Sequence, residues 1–220
     1  WQELMSNLPH TPMYWIDIQE HFNDLVIGTY GRGIWILDDI SPLQQLNQDV
    51  TKKSSYLFDL KSSYRFQNVT STLQMFPEAS SGQDPPKGAS INYWLNEDKD
   101  VELFITNSSN DTVRTIADKG KKGINRVWWD FMGEKSDPMI MRTKPQYAEW
   151  FSIGDERIRN IPSNISIMQP PGTYHVHLES NDVIYSKELI VIKDPHSEGT
   201  IEDIELQNDL VEKIYNDLNK

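Results

Sequence analysis

Asp24-Leu-Val-Ile-Gly-Thr-Tyr-Gly-Arg-Gly-Ile-Trp-Ile-Leu-Asp-Asp39 decides how this chain is read. Leu25, Val26 and Ile27 lead into Gly28, Gly31 and Gly33, and Ile34, Trp35, Ile36 and Leu37 lead out again. β-Branched and aromatic residues suit a packed strand, and glycine tolerates the positive φ of a tight turn. The stretch predicts a β-hairpin. Working outward, Met13 to Glu20 alternates Tyr14, Ile16 and Ile18 against Trp15 and Asp17, predicting a strand. Asn7-Leu-Pro-His-Thr-Pro12 reads as a loop, and Trp1-Gln-Glu-Leu4 as one more short strand.

Beyond the hairpin, Ser41-Pro-Leu-Gln-Gln-Leu46 reads as a short helical turn opening a linker that runs to residue 55. Tyr56-Leu-Phe58 and Tyr64-Arg-Phe66 are strand-like, and residues 77 to 88, with Pro77, Gly82, Pro85, Pro86 and Gly88, form a loop. From Gly88 short strands succeed one another at regular spacing: 89–95, 101–106, 112–116, 125–131, 172–179 and 183–192. That spacing predicts an antiparallel sandwich. Gly123 turns the chain into a strand where Val127 and Trp129 point one way and Trp128 the other. Pro171-Gly172 launches Tyr174, Val176 and Leu178 into a sheet. The segment between Phe131 and Pro170, containing Tyr147-Ala-Glu-Trp-Phe151, is long enough for a functional loop or a family-specific cover. Thr200-Ile-Glu-Asp203 resembles a capping box opening a helix, with Ile201, Ile204, Val211, Ile214 and Leu218 at helical spacing. That apolar stripe needs a partner, and the helical pattern runs on to Lys220, which predicts a continuing parent chain.

Composition bounds the function. The chain has 220 residues, a formal charge of −12 and no cysteine, with a pI near 4.8. Disulfides and thiolate metal sites are excluded, while the redox compartment stays open. The acidity repels phosphate backbones and anionic lipid, so nucleic acid is not an expected partner. No run reaches the length of a membrane span, and no signal segment opens the chain, although its start at Trp1 leaves room for one upstream. Gly-x-Ser-x-Gly elbows, Walker loops, dinucleotide fingerprints and His-Glu-x-x-His motifs are absent from the sequence. No cofactor is expected.

Taken together, residues 1–46 resemble the last, partial blade of a β-propeller of the BNR (Asp-box), sortilin-like type. Trp1 to Leu4 resembles the strand that comes directly after an Asp box, and the box itself is missing. Gly88-Ala-Ser-Ile-Asn-Tyr-Trp-Leu, Val113-Arg-Thr-Ile116, Gly123-Ile-Asn-Arg-Val-Trp-Trp-Asp130 and Pro170-Pro-Gly-Thr-Tyr174 resemble the Ig-like module found after such propellers and in flagellar hook-capping proteins. The expected class is therefore all-β: a partial blade at 1–46, a linker with first strands at 47–87, an Ig-like or FnIII-like sandwich at 88–195 and a truncated C-terminal helix at 196–220. By this resemblance strands at 13–21, 24–30 and 33–39 build the blade, exposed or docked on the next domain.

The resemblance implies a non-catalytic accessory region of a secreted, periplasmic or cell-surface protein, supporting glycan or peptide binding by the propeller. The remaining blades are its expected partners. A sialidase-like glycoside hydrolase with its site in other blades, or a sortilin-like peptide receptor, are the alternatives. In propeller geometry the loop Asn7–Pro12 and the turn Tyr30–Arg32 share the binding face, making His10, Tyr30 and Arg32 the candidate ligand residues. Arg32 would meet an anionic or sugar ligand through its planar fork, or else a neighbouring blade's carboxylate. Asp38-Asp39, as strand neighbours, point apart and cannot act as a glycosidase pair. Asp17 and His21 stand at a helical spacing in a segment that alternates as a strand, and His175 with His177 lacks an evident third ligand, so no metal site is expected. Asn68, Asn107, Asn110 and Asn164 open glycosylation sequons.

Overall fold

The computed structural model describes residues 7–66, 86–137, 164–180 and 183–219. The expected strand at Trp1–Leu4, most of the 77–88 loop, the Tyr147–Phe151 stretch and the Asn68 sequon lie outside the described residues. The fold is mostly β with a C-terminal helix, and its sheet curls as a half-barrel.

β1 (Met13–Gln19), β2 (Asp24–Thr29) and β3 (Ile34–Leu37) form an antiparallel sheet in chain order. Register places Ile16 beside Ile27 and Ile27 beside Trp35, while Asp17, Val26 and Ile36 share the opposite face. Gly31 and Gly33 make the turn with φ of 71° and 79°, and the Thr29 amide donates to the Gly33 carbonyl at 3.1 Å. Gly28, expected at the turn, lies inside β2 instead. There a Cβ would sit 3.5 Å from that of Trp15, in ordinary contact.

Two short helices, α1 (Ser41–Gln45) and α2 (Gln48–Thr51), come next. Asn47 caps the second by accepting from the Asp49 and Val50 amides. The chain then builds two facing sheets. β4 (Ser55–Leu57), β6 (Ala89–Leu95) and β9 (Gly123–Trp129) form one, in the order β4-β6-β9. β5 (Ser63–Arg65), β7 (Lys99–Thr106), β8 (Thr112–Gly120), β12 (Gly172–Ser180) and β13 (Val183–Lys193) form the other, in the order β5-β13-β12-β7-β8. All six strands expected after Gly88 are present. The pairing of β5 with β13 is parallel, the exception to an otherwise antiparallel pattern. β10 (Met132–Lys135) and β11 (Ser166–Met168) pair as a small ribbon at the two ends of the long 131–170 segment.

Alternation fills the space between the sheets. Ala89, Ile91, Tyr93 and Leu95 of β6 and Trp129 of β9 meet Val101, Leu103 and Ile105 of β7, Tyr174, Val176 and Leu178 of β12, and Leu189 and Val191 of β13 in one buried cluster. Every second residue of each strand points inward, as the pleat requires. Trp129 is 1% exposed and stands edge-on to both Phe131 and Tyr174, with ring centroids 5.3 and 5.1 Å away. Gly88 admits a close backbone approach, since a Cβ there would fall 1.9 Å from the Trp129 carbonyl oxygen. α3 (Ile201–Leu218) lies against β11. Its capping box is complete: the Asp203 amide donates to the Thr200 hydroxyl, and the Thr200 amide to the Asp203 carboxylate.

Candidate functional site

The loop ending at Pro12 and the hairpin turn at 30–33 lie together. Thr11 Oγ1 donates to the Tyr30 carbonyl at 3.0 Å, and the Tyr30 amide donates to the Pro12 carbonyl at 3.0 Å. Tyr30 stacks on Tyr14 with ring centroids 6.1 Å apart and remains 69% exposed. The Arg32 carbonyl accepts from Trp35 Nε1 at 3.0 Å, bracing the turn while the guanidinium stays exposed. No ion pair to Arg32 occurs among the described residues. His10, beside the Thr11 contact, is exposed as well. The face therefore offers a ring pair and a solvated guanidinium on a short rigid turn, with His10 at its margin. Such a surface can stack on a flat ligand and pair with an anion.

Asp38 and Asp39 depart from expectation. β3 ends at Leu37, and Asp39 adopts φ of 48°, so the pair does not alternate along a strand. Both residues belong to a joint with the two-sheet unit. Arg126 Nη1 and Nη2 donate to the Asp38 and Asp39 carbonyl oxygens, each at 2.7 Å, and Nε donates to Asn92 Oδ1 at 2.7 Å. Ser90 and Asn92 in turn donate to Asp39 Oδ2 at 3.2 and 3.4 Å, and the Asp39 amide donates to Asp24 Oδ1 at 2.9 Å. Burial first, then the charge of Asp24, raises the pKa of the Asp38 carboxyl; Arg126 opposes them and Asp39 adds a smaller push in the same direction as Asp24. The Asp39 carboxylate is thus engaged in structure, accepting from Ser41, Ser90 and Asn92.

Nothing in the sequence pattern singled out Arg126, Asn92 or the cleft beside them. The usable signal was a charged residue in the middle of an apolar strand: β9 places Arg126 on the face away from the core, opposite Asn92. Next to the joint, Phe22, Tyr64, Phe66 and Trp128 line a cleft of about 290 Å³ with Lys61 and Asp24 at its margin. Trp128 lies here, half-buried, while Trp129 fills the core; the alternation predicted opposite directions without deciding which tryptophan would be buried.

His175 and His177 are neighbours on one strand face, with no third metal-ligating group among the described residues. His175 and His177 have ring centroids 6.5 Å apart. His177 stacks on Phe104 at 4.5 Å and lies 3.1 Å from Thr106 Oγ1. Burial, then the neighbouring His175, lowers its pKa. His21 packs against Phe22 and Tyr64, and Asp17 accepts from the Ile18 amide. Among the described residues no group of three or more His, Asp or Glu is arranged to hold a metal ion. Asn107 uses its side chain to fold the β7–β8 turn, accepting from the Ser109 and Asp111 amides at 2.9 Å each. Among the described residues no helix is long and apolar enough to cross a membrane. Compared with protein families, with curated proteins and with solved structures, the chain matches none.

Proposed function

We propose that this chain is a non-catalytic C-terminal region of a secreted or cell-surface BNR-type propeller protein, in which β1–β3 are strands of one blade and the two-sheet unit is an Ig-like support. The propeller would bind a glycan or peptide, with His10, Tyr30 and Arg32 on its binding face.

One observation carries the reading: the β1–β3 sheet is apolar on both faces and, although Ile27 is buried, each face leaves large apolar side chains exposed. Ile16, Ile18 and Leu37 on one face are 61%, 43% and 38% exposed, and Trp15, Ile34 and Ile36 on the other are 70%, 74% and 59% exposed. A sheet that covers a single core is apolar on one face and polar on the other. A propeller blade lies between two neighbours and needs apolar residues on both. Tyr174 supports the Ig-like reading of the second unit. Its hydroxyl donates to the Pro170 carbonyl at 2.7 Å, four residues upstream, in the manner of a tyrosine corner beside a buried tryptophan. Burial pushes this phenol up to about 12, so it stays a donor throughout the physiological range.

Amide hydrogen exchange tests the blade. In a longer protein that includes the parent sequence preceding Trp1, amides of residues 13–37 should exchange at least about 100-fold more slowly than in the 220-residue chain, because covered strands open only with larger units. Equal exchange overturns the proposal. Glycan and peptide arrays on the same longer protein should show binding that Arg32→Ala weakens. Hydrolysis of aryl glycosides that Arg32→Ala abolishes would replace the binding role with the sialidase-like one.

A further inference from the structure

β5 and β13 place two cations side by side. Their parallel register sets Arg65 opposite Lys193 and Ser63 opposite Val191, and Val191 belongs to the buried core. Residues two apart on a strand share a face, so Arg65 and Lys193 stand on the core side of the sheet. Like charges directly opposite each other destabilise a strand pair. The chain has 33 acidic residues against 21 basic ones, yet among the described residues no carboxylate forms an ion pair with either cation.

Neither cation uses all its donors. Arg65 is half-buried, and its Nε donates to the Gln169 carbonyl at 2.8 Å, which leaves the four Nη protons of the fork. Burial lowers its pKa and the Tyr174 phenol opposes the shift, so the desolvated charge lacks a compensating carboxylate. Lys193 Nζ donates to the Asp194 and Ser197 carbonyls. One of its three protons remains.

Both cations line a cleft of about 390 Å³ between α3 and the β10–β11 ribbon, within the size range of small-molecule sites. Its lining narrows the ligand. Asp194 and Asp203 are engaged locally, Asp194 by the His196 amide and Asp203 by Thr200, but their charges penalise a dianion such as phosphate. Met132, Ile167, Met168 and Ile204 supply an apolar wall that a bare inorganic ion would not use. One carboxylate on an aliphatic body meets both conditions, because the guanidinium fork matches its two oxygens and the wall covers its chain.

We propose that this cleft binds a small aliphatic monocarboxylate, its headgroup held by Arg65 and Lys193 and its chain laid against Met168 and Ile204. The site is separate from the hairpin-turn face and does not depend on the propeller reading.

The test titrates the complete 220-residue chain with sodium octanoate and follows the backbone amides by proton–nitrogen NMR. Saturable shifts with a Kd below about 1 mM should centre on residues 166–168, 193–199 and 203–208. Octanol, with the same chain length and no charge, should bind at least about tenfold more weakly. Arg65→Met should weaken octanoate about tenfold or more and leave octanol unchanged. Because Arg65 also holds the Gln169 carbonyl, the exposed Gln207 on the cleft wall provides a second pair of variants that keep a good helix former. Gln207→Glu should weaken octanoate about threefold, and Gln207→Lys should strengthen it by a similar factor. Absence of saturable shifts, equal affinity for octanol, or octanoate binding indifferent to all three substitutions overturns the proposal. So would inorganic phosphate binding more tightly than octanoate at the same residues.

Discussion

The β1–β3 sheet and the two-sheet unit use the same strand chemistry and reach opposite outcomes. In β6, β7 and β12 the alternating apolar residues vanish into a shared core, with Ile91, Leu103, Ile105, Val176 and Leu178 at 0% exposure. In β1 every residue is exposed, although Tyr14, Ile16 and Ile18 alternate just as cleanly. Strand formation requires a hydrogen-bonded neighbour. Burial requires an opposing layer. The second unit contains its own opposing layer, and the first sheet lacks one among the described residues. What joins that sheet to the rest is largely polar, Arg126 bridging the Asp38 and Asp39 carbonyls and Asn92, with the His21 ring stacked on Tyr64 beside it.

The contrast makes four substitutions unequal. Trp129→Ala should cost about 3–5 kcal/mol in urea unfolding, since it removes the largest fully buried side chain among the described residues. A loss below about 1 kcal/mol would mean that the two facing sheets do not form a packed core. Arg126→Ala should cost about 2 kcal/mol, because the Asp38 and Asp39 carbonyls and Asn92 Oδ1 lose a charged donor. Its second signature is faster amide exchange confined to residues 13–40, with the two-sheet unit unchanged.

Asp38→Asn should stabilise the chain slightly at neutral pH, by less than about 0.5 kcal/mol for so solvated a group. The sign comes from linkage. A carboxyl whose folded pKa is raised costs stability when ionised, and the cost disappears as pH falls through the raised pKa towards its unfolded value of 3.8. The gain from the asparagine should therefore shrink on acidification, and a gain that grew instead would reject the account of Asp38 as a carboxyl penalised by burial and by Asp24. Ile34→Ser should change stability least, within about 0.5 kcal/mol, because its side chain is 74% exposed. In a longer protein with neighbouring blades the same change should cost about 2 kcal/mol or more, which directly separates an uncovered face from a buried one.

Much of the architecture is legible in the residues themselves. The hairpin is read from Leu25–Ile27, Gly31, Gly33 and Ile34–Leu37, the opposite directions of Trp128 and Trp129 from their adjacency, and α3 from Thr200 and Asp203. The 7–12 loop meets the 30–33 turn through the Thr11–Tyr30 bond. Less legible is the role of Asp38-Asp39, because β3 stops short of them and a left-handed turn at Asp39 redirects both. β10 and β11 also escape the pattern. Four and three residues long, they show too little alternation to register as strands.

Local pattern determined the strands, the turns and the capped helix, because pleat periodicity, positive φ and end-capping are satisfied within a few residues of where they are written. Tertiary structure alone decided which apolar faces became core and which stayed open, and it brought Arg126 to carbonyls 88 and 87 residues earlier in the chain. Alternation states that a face is apolar. Only the arrangement of layers supplies what covers it, and only packing chooses the partners of a long charged side chain.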